Sequence, residues 1–288
     1  NNVRQSLTLA GVVEQNAARA HALSVGGVLA TPQSDHVEAT KMLLECLDIR
    51  RGLGAPRETA ATLSTLATLY LQQDDVARAR ECEEEAIEIF RELGDQVGEA
   101  IGLQTLGEIS IRQTDYTGAQ DLFEQCLVIS QSARHQELES ECERSLGDLA
   151  LIAGKLPEAH ARFARSLKVC KDAEDKRGAA IALWRLGKSD LAGHDLEPAR
   201  ERLGIALRAL REFEMNAETL DCLEDYARFL LVDGRAEDAV RLASSAAAVR
   251  DALALPRSSR AEADAPLDLK AARASIGEEE FERAWAAG

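Results

Sequence analysis

Apolar residues recur along this chain at a helical spacing, with none of the strict alternation that marks a strand. Between Gly98 and Ser130 the pattern predicts two amphipathic helices joined by a tight turn. In the first, Leu106 precedes Gly107 and Ile111 lies one helical turn beyond it. In the second, Phe123 follows Ala119 at i+4 and Leu127 follows it at i+8. The arrangement returns every forty residues. Ala39, Ala79, Ala119, Ala159, Ala199 and Ala239 form one column of small residues. Gly27, Ala67, Gly107, Gly147, Gly187 and Ala227 form another. Large apolar columns flank them, such as Leu66, Leu106, Leu146 and Leu186, and Leu47, Ile87, Leu127, Leu167 and Leu207. A fixed period of this size marks a stacked repeat, and small residues on facing helices let their backbones approach.

Polar positions punctuate the same register. Asp35, Asp75, Asp115 and Asp195 stand just before the second helix of a pair, where a carboxylate caps free N–H groups. Gly154 and Gly234 sit one position earlier, at the bend, and Pro157 and Pro198 fall in first helical turns. Three segments follow. Residues 1–15 are a lead-in, 16–255 the repeat array, and 256–288 a linker with a C-terminal helical cap. The first repeat, 16–53, is degenerate, with Gly26-Gly27 and then Thr31-Pro32 at its turn. Clearer repeats occupy 56–94, 96–134, 136–174 and 176–214, and a sixth runs over 216–255. The polar stretch 256–266 reads as a breaker, and helix resumes after it with a break at Gly277.

The set Leu103, Leu106, Gly107, Tyr116, Ala119 and Phe123 resembles the tetratricopeptide repeat. The spacing of twelve from Gly to Ala, and four from Ala to Phe, agrees. The period is forty rather than the family's usual thirty-four or so, which implies longer helices. The next small position also varies, being Ala86, Cys126, Ser166, Ala206 and Ala246. The resemblance covers about Ala17 to Leu255. It implies an all-α, right-handed superhelical solenoid of about six helix pairs with a C-terminal capping helix. It also implies a non-catalytic scaffold that binds a protein, peptide or effector in a concave groove.

Composition narrows the partners. Aromatic residues are 4% of the chain, so Leu, Ala and Ile must fill the interfaces. A formal charge of −16 argues against direct grip on nucleic acid, which needs clustered Lys and Arg. The acidity reads as a solvated surface, and the run Glu81, Glu83, Glu84, Glu85 as one solvated helix face. Cys46, Cys82, Cys126, Cys142, Cys170 and Cys222 make no CxxC pair, and Cys46 and Cys126 fall in a small-residue column as buried free thiols. A reducing cytoplasm fits this usage, and no signal peptide or membrane-length apolar run is expected. The chain starts Asn1-Asn2 without an initiator Met, as a processed product or a piece of a longer protein would.

The tail run Ala274-Ser275-Ile276-Gly277, Phe281, Ala284-Trp285 and Gly288 resembles the C-terminal end of LuxR-type regulators and ATPase-linked cyclases. That resemblance implies the alternative reading: a sensor arm of a larger bacterial regulator whose ATPase or DNA-binding domain lies outside this chain. The other reading of the tail is that Ile276, Phe281 and Trp285 cap the apolar end of the array.

No motif for chemistry emerges. Leu186-Gly187-Lys188-Ser189 has Ala182 where a phosphate loop needs Gly, and it lies inside a helix. The histidines at 21, 36, 135, 160 and 194 have no metal-ligand spacing, and no nucleophile motif occurs. Neither a catalytic residue, a metal nor a cofactor is expected. In the resembled family the groove is lined by first-helix positions three before the small column and one after it. On this chain those are Ser64, Gln104, Arg144, Trp184 and Glu224, then Thr68, Glu108, Asp148, Lys188 and Arg228. The family's carboxylate-gripping Lys and Asn set is absent, which argues against a chaperone tail. Arg144, Trp184, Arg185, Lys188 and Arg228, with Glu108 and Asp148, form the candidate binding set for an acidic or aromatic ligand. The competing reading has the cations neutralising Glu108, Asp148 and Glu224, with Trp184 as filler.

Overall fold

The computed structural model describes residues 16–28, 36–255, 257 and 259–288. The lead-in, Thr31-Pro32 and Asp35 fall outside them. Fourteen helices are seen among the described residues, and no strand. Helix α1 covers 16–28. It is followed by α2 (His36–Gly52), α3 (Pro56–Gln72), α4 (Val76–Leu93), α5 (Gln96–Arg112) and α6 (Tyr116–Ser132). Then come α7 (Gln136–Ile152), α8 (Leu156–Asp172), α9 (Lys176–Ala192), α10 (Leu196–Glu212), α11 (Asn216–Val232) and α12 (Ala236–Leu253). The chain ends in α13 (Ser259–Ile276) and α14 (Glu278–Ala286). Consecutive helices pack as pairs, as in a helical solenoid, and each sequence repeat is one pair. The chain divides into two compact units, 1–142 and 143–288, described separately below.

The backbone repeats twice as often as the sequence columns do. Left-handed residues recur every twenty positions: Gly54, Asp74, Gly94, Thr114, Arg134, Gly154, Glu174, His194, Glu214, Gly234 and Ala254. After each, the next N–H donates to a carbonyl five residues back, as Asp75 does to Tyr70 at 2.9 Å and Asp175 to Cys170 at 2.8 Å. This closure satisfies a carbonyl that the helix end leaves open. From Ala55 to Arg235, the residue supplying that N–H then starts the following helix. Asp75 and Asp115 cap the N–H groups of Arg78 and Gly118, as their column predicts. Asp195 accepts no such bond. A second capping column starts the first helices of pairs: Asp95 and Asp175 accept from Gly98 and Gly178, and His135 Nδ1 accepts from Leu138. The bond from Gly98 is the largest cause holding the Asp95 carboxyl below its usual range.

In the first unit, Leu43 covers Gly27 and Phe123 covers Gly107; both large side chains are fully buried. A Cβ on Gly107 would lie 2.6 Å from Phe123 Cε1. Gly107→Leu is therefore expected to cost about 1–3 kcal/mol through overpacking. An unchanged melting temperature would reject this register.

Glu83 departs from the expected solvated face. Its acidic neighbours Glu81 and Glu84 are exposed, but Glu83 is 0% exposed. It occupies the position held by Leu43, Phe123, Phe163 and Leu203 in other repeats. Four residues after Ala79, it points with the apolar column rather than with the helix's acidic side. Ser64 Oγ donates to its Oε1 at 2.8 Å, while Oε2 is buried with no hydrogen-bond partner. Burial, against that one bond, pushes its carboxyl up to about 7.

In the second unit, Phe163 covers Gly147 and Leu203 covers Gly187 in the same way. The expected linker over 256–266 is instead largely helical, since α13 starts at Ser259 and runs through Pro266. Packing of α13 on α11 and α12 outweighs one missing N–H in an alanine-rich stretch. Gly277 makes the predicted break at φ 82. Beyond it, Phe281 and Ala284 of α14 bury against Val240 of α12, and Trp285 stacks on Phe281 with ring centres 6.0 Å apart. Ser244 Oγ donates to the Trp285 carbonyl at 2.8 Å, completing a cap over α12.

Candidate functional site

Six of the seven predicted residues sit on α9, α11 and the part of α7 in the second unit, and Arg144 of α7 is half-buried. At the centre is Asp225 of α11, 4% exposed. Trp184 Nε1 of α9 donates to its Oδ2 at 2.8 Å. Arg228 donates to its Oδ1 at 2.8 Å, and Lys188 Nζ lies 3.7 Å from Oδ2. Arg228 also reaches forward to Asp268 of α13, with contacts of 2.7 to 3.1 Å. The sequence columns thus bring Trp184, Lys188 and Arg228 together around a carboxylate they did not include.

Trp184 is 3% exposed, so its indole does not stand open as a stacking wall. Its ring instead supports Arg185, whose guanidinium carbon is 4.2 Å from the ring centre. Arg185 Nε lies 3.4 Å from Asp148 Oδ2 and makes no hydrogen bond. The expected neutralising role of Asp148 is therefore seen, directed at Arg185. Glu224 serves different cations from those expected: its Oε1 accepts from Arg250 and Arg257, each at 3.0 Å. Arg250 of α12 is 3% exposed and also pairs with Asp221, whose carboxyl burial raises despite that partner.

Glu108 belongs to the first unit and lies exposed on α5. Although the residue keeps an exposed face, the protein packed around its carboxyl, and then the Glu141 charge, raise it above its usual range. Gln104 Nε2 donates to Glu141 at 3.0 Å on the same side.

The sequence reading missed Asp225, Asp268, Asp221 and Arg250. A signal for Asp225 existed two residues before the small column. That position holds Thr65, Thr105 and Ser145, then turns charged at Arg185 and Asp225. Among the described residues no group of three or more His, Cys, Asp or Glu is placed to hold a metal ion. No helix there is long and apolar enough to cross a membrane.

A tetratricopeptide-repeat family model matches residues 18–92 and 99–172, just over half of the chain. The chain belongs to the tetratricopeptide-repeat family. No curated protein sequence matches it significantly. Among solved structures, this repeat protein is similar to the apo form of RapI, with a TM-score of 0.69 and 14% identity over 93% of this chain and 99% of that one. It is similar to a Rap protein complexed with competence and sporulation factor, with a TM-score of 0.71 and 12% identity over 93% and 72%. It is also similar to a signal transduction ATPase with numerous domains and a tetratricopeptide repeat sensor from Pyrococcus horikoshii. There the TM-score is 0.69 and the identity 14%, over 95% of this chain and 42% of that one. At these identities the likeness is one of fold.

Proposed function

We propose that this repeat protein is a non-catalytic interaction scaffold that takes an acidic protein or peptide partner on the α9–α11 face, in a cytoplasmic setting. The observation that carries the reading is the Arg185–Trp184–Asp225–Lys188 cluster. Arg185 is stacked on an indole, its side chain is still 24% exposed, and its ion pair with Asp148 is long. A ligand carboxylate competes with Asp148 there at little cost, since both pairings are charge-assisted. Trp184 and Asp225 hold the cations in place from beneath. The Rap protein complexed with competence and sporulation factor supports a binding role for such a fold.

The test is a pull-down from native lysate with wild-type protein and an Arg185→Gln/Lys188→Gln double variant. These changes remove charge but keep the buried Trp184 in place. Partner recovery should fall at least tenfold at unchanged helicity, and undiminished recovery would refute the site. A second reading, that the chain is the sensor arm of a larger regulator, is supported by the ATPase whose chain this one matches over 42% of its length. A nucleotide-binding domain encoded in the same reading frame would favour it.

A further inference from the structure

Cys126 of α6 and Cys142, near the start of α7, stand sixteen residues apart within the first unit, and both are fully buried. Their sulfurs are 2.6 Å apart, closer to the roughly 2.05 Å of a disulfide than to an ordinary contact between thiols. The same two register positions meet in other repeats without a second thiol. Cys46 faces Thr62, with Sγ and Oγ1 4.0 Å apart, and the corresponding pairs elsewhere are Ala86 with Gly102, Ser166 with Ala182, and Ala206 with Cys222.

We propose that Cys126 and Cys142 form an oxidation site, closing to a disulfide that staples α6 to the start of α7 when the protein meets a peroxide. In the first step one thiolate sulfur attacks a peroxide oxygen and the O–O bond breaks. That sulfur becomes a sulfenic acid, and the peroxide's other oxygen leaves as water after taking up a proton. In the second step the neighbouring sulfur attacks the sulfenic sulfur, the S–S bond forms and the S–O bond breaks. The departing hydroxide leaves as a second water with the proton of the attacking thiol. The two thiols lose two electrons and the peroxide gains them. Burial slows the first step, which needs a brief local opening. It also favours the second, because the resolving sulfur is already in place and bulk thiols are kept out. Cys82 is the half-buried alternative target, but burial, together with Glu85, Glu83 and Glu81, pushes its thiol up to about 11 and keeps it protonated.

The experiment treats folded protein with excess hydrogen peroxide, then unfolds it in denaturant containing an alkylating agent and counts the blocked thiols. The six cysteines should yield four free thiols and one proteolytic fragment joining Cys126 to Cys142, restored to six by dithiothreitol. Cys142→Ala and Cys126→Ser should form no crosslink and retain five free thiols each. Both are expected to fold, because Ala182 and Ser166 hold those register positions in the next repeat. Six free thiols after peroxide, a crosslink mapped to another pair, or sulfinic acid accumulating at these sulfurs without a bond would each overturn the proposal.

Discussion

Replacing Asp225 with alanine is expected to destabilise the second unit by about 3–5 kcal/mol, the cost of removing one partner from a buried charge cluster. Three groups depend on this carboxylate. Trp184 Nε1 would be left buried without an acceptor, and Arg228 and Lys188 would lose a shared counter-charge. Asp225→Asn keeps an acceptor for the indole and nearly the same volume, so its loss should be smaller, though still present because the charge is gone. Urea unfolding of wild type and the two variants reads the order directly. Equal midpoints for all three would show that the cluster contributes nothing to the unit.

Glu83 makes the second large effect, and its sign is set by proton uptake. The unfolded chain releases this proton near 4.5, whereas the folded protein holds it up to about 7. Between those values the folded state binds more protons, so its stability falls as pH rises. The shift corresponds to about 3 kcal/mol, complete above pH 7. Glu83→Gln should remove that part of the slope. Glu83→Leu, which installs the residue found at Leu43 and Leu203, should exceed wild-type stability at pH 8 by a similar amount. A residual slope of the same sign is expected from Glu108, whose carboxyl is also raised. Melting curves from pH 5 to 8 test this, and parallel wild-type and Glu83→Gln profiles would count against it.

The helix pairs were legible because packing needs large and small residues at fixed offsets, and Gly107 with Phe123 states that need openly. The pairing of charges was less so. Glu81, Glu83 and Glu84 look alike along the sequence, yet one helical step carries Glu83 into the apolar column. Trp184 reads from the sequence either as a groove wall or as filler, and the local pattern does not choose, because an indole N–H turns inward when a buried acceptor such as Asp225 awaits it. That acceptor lies forty-one residues away, beyond any local pattern. Helix over 259–266 was hidden by Pro266, whose local penalty is outweighed by contacts with α11 and α12.

The left-handed turn recurring every twenty residues carries a further consequence. As backbone, each helix and turn is nearly interchangeable with the next, so the chain could in principle pair one helix out of phase. A shift of that kind would set two second helices, or two first helices, in each other's places at no cost in turn geometry. What forbids it is side-chain volume. Phe123 and Phe163 fit only where Gly107 and Gly147 leave room, and those glycines alternate with the alanine column. The main chain thus supplies a ruler with marks twice as fine as the fold requires, and the small and large residues decide which marks are read.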